Sequence, residues 1–296
     1  MKLAAAAYPL DWFESWAAYE DKLHRWVAQA AGQGADLLVF PEYGAMELAT
    51  LAGANVAADL EQSLYAVSDR LSEADGVHAK LAAEFGVHIL AASGPAAVTD
   101  GRPVNRARLI APTGEIGVQD KQIMTRFERE DWDVAPGGPL TLFQTALGTI
   151  GVLICYDSEF PLLGRALSEA DLILVPSCTE TLAGYSRVRI GAMSRALENQ
   201  CVSVMASLVG TADWSEAVDV NIGCGGVFGP PDLGFPETGV LAEGALNSPG
   251  WIYAELDLAA IARVRVDGTV LNRAHWDEQI PRASQVTMAH LGPERP

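Results

Sequence analysis

The chain has 296 residues, is 49% hydrophobic and carries a formal net charge of -18 at pH 7. That length and apolar content suffice for one large core in a layered domain, and no apolar run approaches the roughly 20 residues that a membrane helix needs. The acidic balance leaves no basic stripe to displace phosphate counterions, which excludes a nucleic-acid partner.

The opening MKLAAAAYPL has too short an apolar part for a signal peptide and is followed at once by Asp11 and Glu14, so it predicts a first strand. Asp11 and Glu14 resemble a capping box. Trp12, Trp16, Tyr19, Leu23, Trp26, Val27 and Ala30 then recur at helical spacing, predicting an amphipathic helix that ends near Gly32 or Gly34. ADLLVF at 35–40 is a continuous apolar run of the kind covered on both faces of a sheet, and it ends in Pro41-Glu42. A second helical pattern runs from about Leu60 to Phe85 with an interruption expected near Gly76, and VHILAAS at 87–93 predicts another buried strand. Turn residues at 101–103 and 112–114 bracket RARLIA, so strands joined by tight turns follow, with Lys121 at the end of the last.

The second half repeats this grammar. After the strand GVLIC at 151–155 come a short helix near 161–169, the run ADLILVPSCTE at 170–180, a helix at about 184–199 and CVSVMAS at 201–207. ADLILVP restates ADLLVFP, and CVSVMAS is the counterpart of VHILAAS, which together predict an internal duplication and helices outside mixed sheets. No linker separates the halves. The segment from about 267 has weak periodicity and reads as a C-terminal extension, either a surface tail or an arm on a partner subunit.

Four cysteines are present, Cys155, Cys178, Cys201 and Cys224, without CxxC spacing, which in a long chain without an export signal points to reduced thiols in a cytoplasm. A lone cysteine in an apolar strand is most often a small buried hydrophobe. Cys155 differs by position: it ends a strand, and polar YDSE follows before Pro161, where α/β folds form their ligand crevices. A free thiol with a pKa of about 8.5 needs a base to become a nucleophile near neutral pH. His24 and His78 fall in helical patterns, His88 in a strand, and His275 and His290 in the irregular C-terminal part, so none stands beside Cys155 and none has metal-ligand spacing. Glu42 at a strand end could accept the thiol proton, and Lys121, one of only four lysines, could stabilise an oxyanion. Taken singly, each also fits a solvated turn.

LVFPEYG at 38–44, DKQIMTRFE at 120–128 and GVLICYDSEFP at 151–161, followed by RALENQ at 195–200, resemble the signature blocks of the nitrilase, or carbon-nitrogen hydrolase, superfamily. The resemblance spans about residues 1–265, and its wording is closest to a bacterial branch sometimes fused to an acetyltransferase domain. It implies a four-layer αββα sandwich in a single domain at 1–266 with an extension at 267–296, no cofactor, no metal, and assembly as a homodimer or larger homo-oligomer. It also implies a catalytic triad of Glu42 as general base, Lys121 as oxyanion-stabilising cation and Cys155 as nucleophile. Glu128 is implied as a supporting acid, and the backbone N–H of Tyr156 as a second oxyanion donor. Ser177, Cys178, Thr179 and Arg187 are the candidates for substrate contacts.

The implied function is a cytoplasmic amidase acting on a small amide through a cysteine thioester. N-carbamoyl hydrolysis, nitrile hydrolysis and acyl transfer share that intermediate, and a metabolite-binding protein that keeps the fold without turnover is the rival from another class. Two departures stand out: Glu159 replaces an arginine of many amidase-like branches, and Gly225 replaces a serine.

Overall fold

The computed structural model describes residues 1–292. In the first half, strands β1 (Lys2–Pro9), β2 (Leu37–Val39), β3 (His88–Ala96), β4 (Val104–Ile110) and β5 (Ile116–Asp120) are accompanied by helices α1 (Trp16–Gly32), α2 (Ala54–Ala58), α3 (Leu60–Phe85) and α4 (Arg126–Glu130). The second half contains β6 (Phe143–Thr145), β7 (Gly148–Val152), α5 (Pro161–Ala166), β8 (Leu172–Ser177), α6 (Leu182–Asn199), β9 (Val202–Thr211), β10 (Val220–Asn221), β11 (Gly226–Phe228) and β12 (Val240–Glu243). The chain then returns to the first half as β13 (Gly250–Glu255) and continues through α7 (Leu258–Asp267) and α8 (Ile280–Ala283).

The pairing order shows the duplication directly. In the first sheet β13 is antiparallel to β1, β1–β2–β3 run parallel, and β4 and β5 add antiparallel strands. In the second, β6 is antiparallel to β7, β7–β8–β9 run parallel, and β11 and β12 add antiparallel strands. The end of β1 pairs with the end of β9, Ala7 opposite Ser207, and this seam joins the two sheets into one continuous ladder. Apolar side chains fill the space between the sheets, while α3 packs on the first and α6 on the second. The result is the expected four-layer αββα sandwich. Strands β3 and β8 are buried at every position, as their predominantly apolar sequences require when both faces are covered.

Local chemistry departs from expectation at two helices. The N-cap of α1 is Ser15, whose hydroxyl accepts from the N–H of Ala18, and not Asp11 or Glu14. Asp11 instead pairs with Lys22 at 2.9 Å, and Glu14 accepts from the Trp12 indole at 2.6 Å. Both acids were spent on side-chain partners, leaving the cap to the next hydroxyl. Helix α3 runs unbroken through Gly76, because the buried stripe of Leu64, Val67, Leu71, Ala74 and Leu81 outweighs the roughly 1 kcal/mol that an interior glycine costs. It stops at Gly86, whose φ of 68° makes it the left-handed cap.

The C-terminal extension begins by packing on its own chain. Gln200 donates to the Val270 carbonyl at 3.1 Å, Arg273 pairs with Glu169, and the Arg165 guanidinium lies over the Trp276 ring. Beyond α8 the side chains are exposed up to residue 292, and residues 293–296 of the extension lie outside the described residues. No helix among the described residues is long and apolar enough to cross a membrane.

Candidate active site

Three strand ends converge on one cavity. Glu42 follows β2 on a turn whose next residue, Tyr43, has φ 55°, and the turn is pinned to β3 by Tyr43 N–H donating to Ser93 Oγ at 3.1 Å. A 3-10 segment, Gly44–Ala52, starts immediately and is braced by a buried ion pair between its Glu47 and Lys22 of α1. Lys121 directly follows β5, its N–H donating to the Asn105 carbonyl of β4 at 2.9 Å. Cys155 lies just past β7, with Leu153 still donating to the Leu174 carbonyl of β8 at 2.9 Å. The chain then turns at Cys155 itself, which has φ 50° and opens a 3-10 segment, Cys155–Glu159, before Pro161 starts α5. A non-glycine residue in the left-handed region costs about 1–2 kcal/mol, so the turn that presents the thiol is held in place by its surroundings.

Glu42, Lys121, Glu128 and Cys155 are all buried and all line a cavity of about 410 Å3. Glu42 Oε1 accepts from Lys121 Nζ at 2.7 Å and from Asn105 Nδ2 at 3.0 Å, while Oε2 accepts from the N–H of Cys178 at 2.9 Å. Lys121 also donates to both oxygens of Glu128, at 2.8 and 2.6 Å. Glu128 is further held by the Tyr43 hydroxyl at 2.6 Å and by Thr125, whose N–H donates to Oε2 at 2.8 Å as the cap of α4. The Cys155 thiol points to the Cys178 carbonyl, with Sγ at 3.7 Å from the oxygen.

Two carboxylates share one ammonium here, and their surroundings drive them apart. Burial pushes the Glu42 pKa up to about 7, with Lys121 only partly opposing it and the Glu128 charge adding to the rise. Burial acts the same way on Glu128, but Lys121 and the Tyr43 and Thr125 bonds overcome it and hold that carboxyl below its ordinary value. Burial alone would depress Lys121, yet the two carboxylates keep its ammonium well above the ordinary lysine value. The Cys155 thiol is raised by burial and further by the Glu42 charge, so at rest it is protonated. The centre is therefore a neutral thiol, a fixed cation and a carboxylate poised to gain or lose a proton near neutrality.

The remaining expected residues divide. Tyr156, Cys178, Thr179 and Arg187 line the cavity. Ser177 does not: it is buried at the end of β8, donating to the Ala206 carbonyl at 2.9 Å and lying 3.0 Å from Ser207 Oγ. It occupies the position in β8 that Glu42 occupies after β2, a duplicate strand end turned inward. The N–H of Tyr156 donates to no acceptor among the described residues. No histidine lines the cavity, and no cluster able to hold a metal ion occurs among the described residues. Sequence reasoning did not single out Tyr43, Asn105, Thr125 or Asp157. Asn105 carried no clear signal, since Arg106 and Arg108 share its strand β4.

A family model described as carbon-nitrogen hydrolase matches residues 2–266. The chain belongs to the carbon-nitrogen hydrolase family. It is similar to the probable hydrolase YhcX of Bacillus subtilis (strain 168), at 28% identity over 91% of this chain and 52% of that protein. The chain thus spans about half the length of that relative. Among solved structures it resembles a carbon-nitrogen hydrolase from Helicobacter pylori G27, with a TM-score of 0.72 at 18% identity over 90% of this chain and 91% of the other. It also resembles a mutant of the amidase from Nesterenkonia sp. AN1 that shows the result of Michael addition of acrylamide at the active site cysteine, with a TM-score of 0.65 at 24% identity over 90% and 97%. Both likenesses carry the fold of the hydrolase family.

Proposed function

We propose that the protein is an amidase-type hydrolase that cleaves a C–N bond of a small amide through a thioester on Cys155. The observation that carries this reading is the convergence of Glu42, Lys121 and Cys155 on the floor of one cavity, with the base hydrogen-bonded to the cation at 2.7 Å. Glu42 takes the thiol proton as Sγ attacks the amide carbon, forming the C–S bond and a tetrahedral oxyanion. Lys121 and the Tyr156 N–H stabilise that oxyanion, each donor worth a few kcal/mol in the transition state. Glu42 returns the proton to the leaving nitrogen, the C–N bond breaks and ammonia departs. A water then attacks the thioester with Glu42 as base, releasing the acid and restoring the thiol.

Glu128 does not touch the reacting carbon in this scheme. It fixes Lys121 and, through its charge, keeps the Glu42 pKa high enough for that group both to accept and to return a proton. The relative with acrylamide added at its cysteine supports the choice of nucleophile by analogy.

The test is intact-mass spectrometry of wild type and Cys155→Ala incubated with small amides, with released ammonia assayed in parallel. The expected result is an acyl adduct and ammonia with wild type alone. Ammonia release by Cys155→Ala, or none from wild type with any amide, N-carbamoyl amine or nitrile, contradicts the reading.

A further inference from the structure

We infer that the amide this site accepts carries a positive charge at the end away from the scissile bond, an ammonium or guanidinium on a short chain; this rests on the amidase reading above. The inner charges of the cavity are already paired with one another: Lys121 is shared between Glu42 and Glu128. The other charged residues of the lining are Glu159, Glu180, Glu216 and Asp219 against one cation, Arg187, and Glu180 and Glu216 are exposed to an incoming molecule.

That cation is itself taken up, since Arg187 Nε lies 3.4 Å from Glu159 Oε1. The pair is loose, and the Arg187 side chain is 59% exposed against 20% for Glu159. A substrate cation can therefore replace the arginine at Glu159 by swinging an exposed side chain into solvent. The site already demonstrates that a guanidinium settles against this carboxylate.

The aromatic side chains of Phe127, Trp132 and Tyr156 also line the cavity. Ring faces suit the methylenes of a short chain and tolerate a cation nearby. An anionic substrate would meet repulsion from the wall and would find Lys121 already holding two carboxylates. The cavity, about 410 Å3, lies at the small end of the ordinary ligand range of about 300–1,000 Å3, which fits a short linear amide.

Ammonia release is measured for three amides of matched length: 4-aminobutanamide, pentanamide and succinamate, at low and high ionic strength. The expected order of kcat/KM is cationic over neutral by about 10-fold and neutral over anionic, each rim charge contributing a factor of about 2–5. Salt should lower the cationic rate constant, leave the neutral one flat and raise the anionic one. In the exposed-rim variant Glu180→Gln/Glu216→Gln the cationic-to-neutral ratio falls several-fold through KM. In Arg187→Gln, which frees Glu159, the same ratio rises. Equal turnover of all three amides, or a ratio unmoved by both variants, overturns the charge preference and leaves the amidase reading standing. No ammonia from any of the three, nor from the wider panel above, removes the amidase reading and this inference with it.

Discussion

Asp157 Oδ1 accepts a hydrogen bond from the N–H of Ile123 at 2.8 Å, which ties the turn carrying Cys155 to the loop leaving Lys121. The same carboxylate accepts from the N–H of Gln122 at 3.1 Å and of Ile154 at 3.2 Å. One buried side chain thus spans the two halves at the point where the proposed nucleophile, Cys155, and the proposed cation, Lys121, must keep register. Replacing it with asparagine keeps the shape but turns an acceptor into a donor facing other donors. Asp157→Asn should lose about 1–3 kcal/mol of stability and about 10- to 100-fold in kcat through misplacement, with KM little changed. Steady-state kinetics beside denaturant unfolding checks this, and an unaltered kcat would show that the tie is not needed for register.

The acid limb of the kcat/KM profile should follow Glu42. Its pKa of about 7 means that activity falls as pH drops below neutrality, because the protonated base cannot take the thiol proton. The sign for stability is the reverse. A carboxyl whose folded pKa is raised contributes stability that is fully present below its unfolded value near 4.5 and is lost as pH rises through about 7. Wild type should therefore lose up to about 3 kcal/mol relative to Glu42→Gln between pH 4 and pH 8. Paired urea titrations across that range measure the difference.

Glu128→Gln removes the charge that helps hold the Glu42 pKa up and releases Lys121 from its two-oxygen grip. The acid limb should move to lower pH while kcat falls by about 10- to 100-fold. A profile that keeps its acid limb near 7 would separate Glu128 from the titration of the base.

The left-handed turn at Cys155 can be tested apart from chemistry. Both Cys155→Gly and Cys155→Ala remove the thiol, but glycine accepts φ 50° without a Cβ clash. The glycine variant should be about 1 kcal/mol more stable than the alanine variant by urea unfolding. Equal midpoints would mean that the surrounding contacts, and not the backbone conformation, set the cost of the turn.

Gly225, noted above as standing in place of a serine, has a steric cause. A Cβ there would meet the Ala5 carbonyl oxygen and Ile252 Cδ1, each at 2.8 Å. Because Ala5 belongs to the central strand β1, the backbone cannot give way cheaply. Gly225→Ser should cost about 1–3 kcal/mol, read as a lowered Tm with kcat retained in the folded fraction.

The sandwich was legible because burial on both sheet faces writes itself as unbroken apolar runs, and because ADLLVFP and ADLILVP repeat. Glu42 and Cys155 stood out because a carboxylate or a thiol at the end of such a run has little structural reason to be there, whereas Lys121 follows the mixed strand IGVQD and stood out as one of only four lysines. Asp157 and Tyr43 were not, since their roles depend on hydrogen bonds to residues 34 and 85 positions away, which no local pattern encodes. The Asp11 cap failed for a related reason: a cap signature states what an acid can do, and a buried lysine eleven residues later claimed it.

The seam between β1 and β9 gives the molecule a built-in safeguard. Glu42 and Lys121 hang from the first sheet and Cys155 from the second, so neither half alone owns a thiol, a base and a cation. On the mechanism proposed above, a nascent or partly unfolded chain exposes only an unactivated cysteine, and reactivity switches on when the halves close. Turnover is thereby a readout of their docking, and two fragments divided near residue 138 should each be inert yet recover activity when mixed.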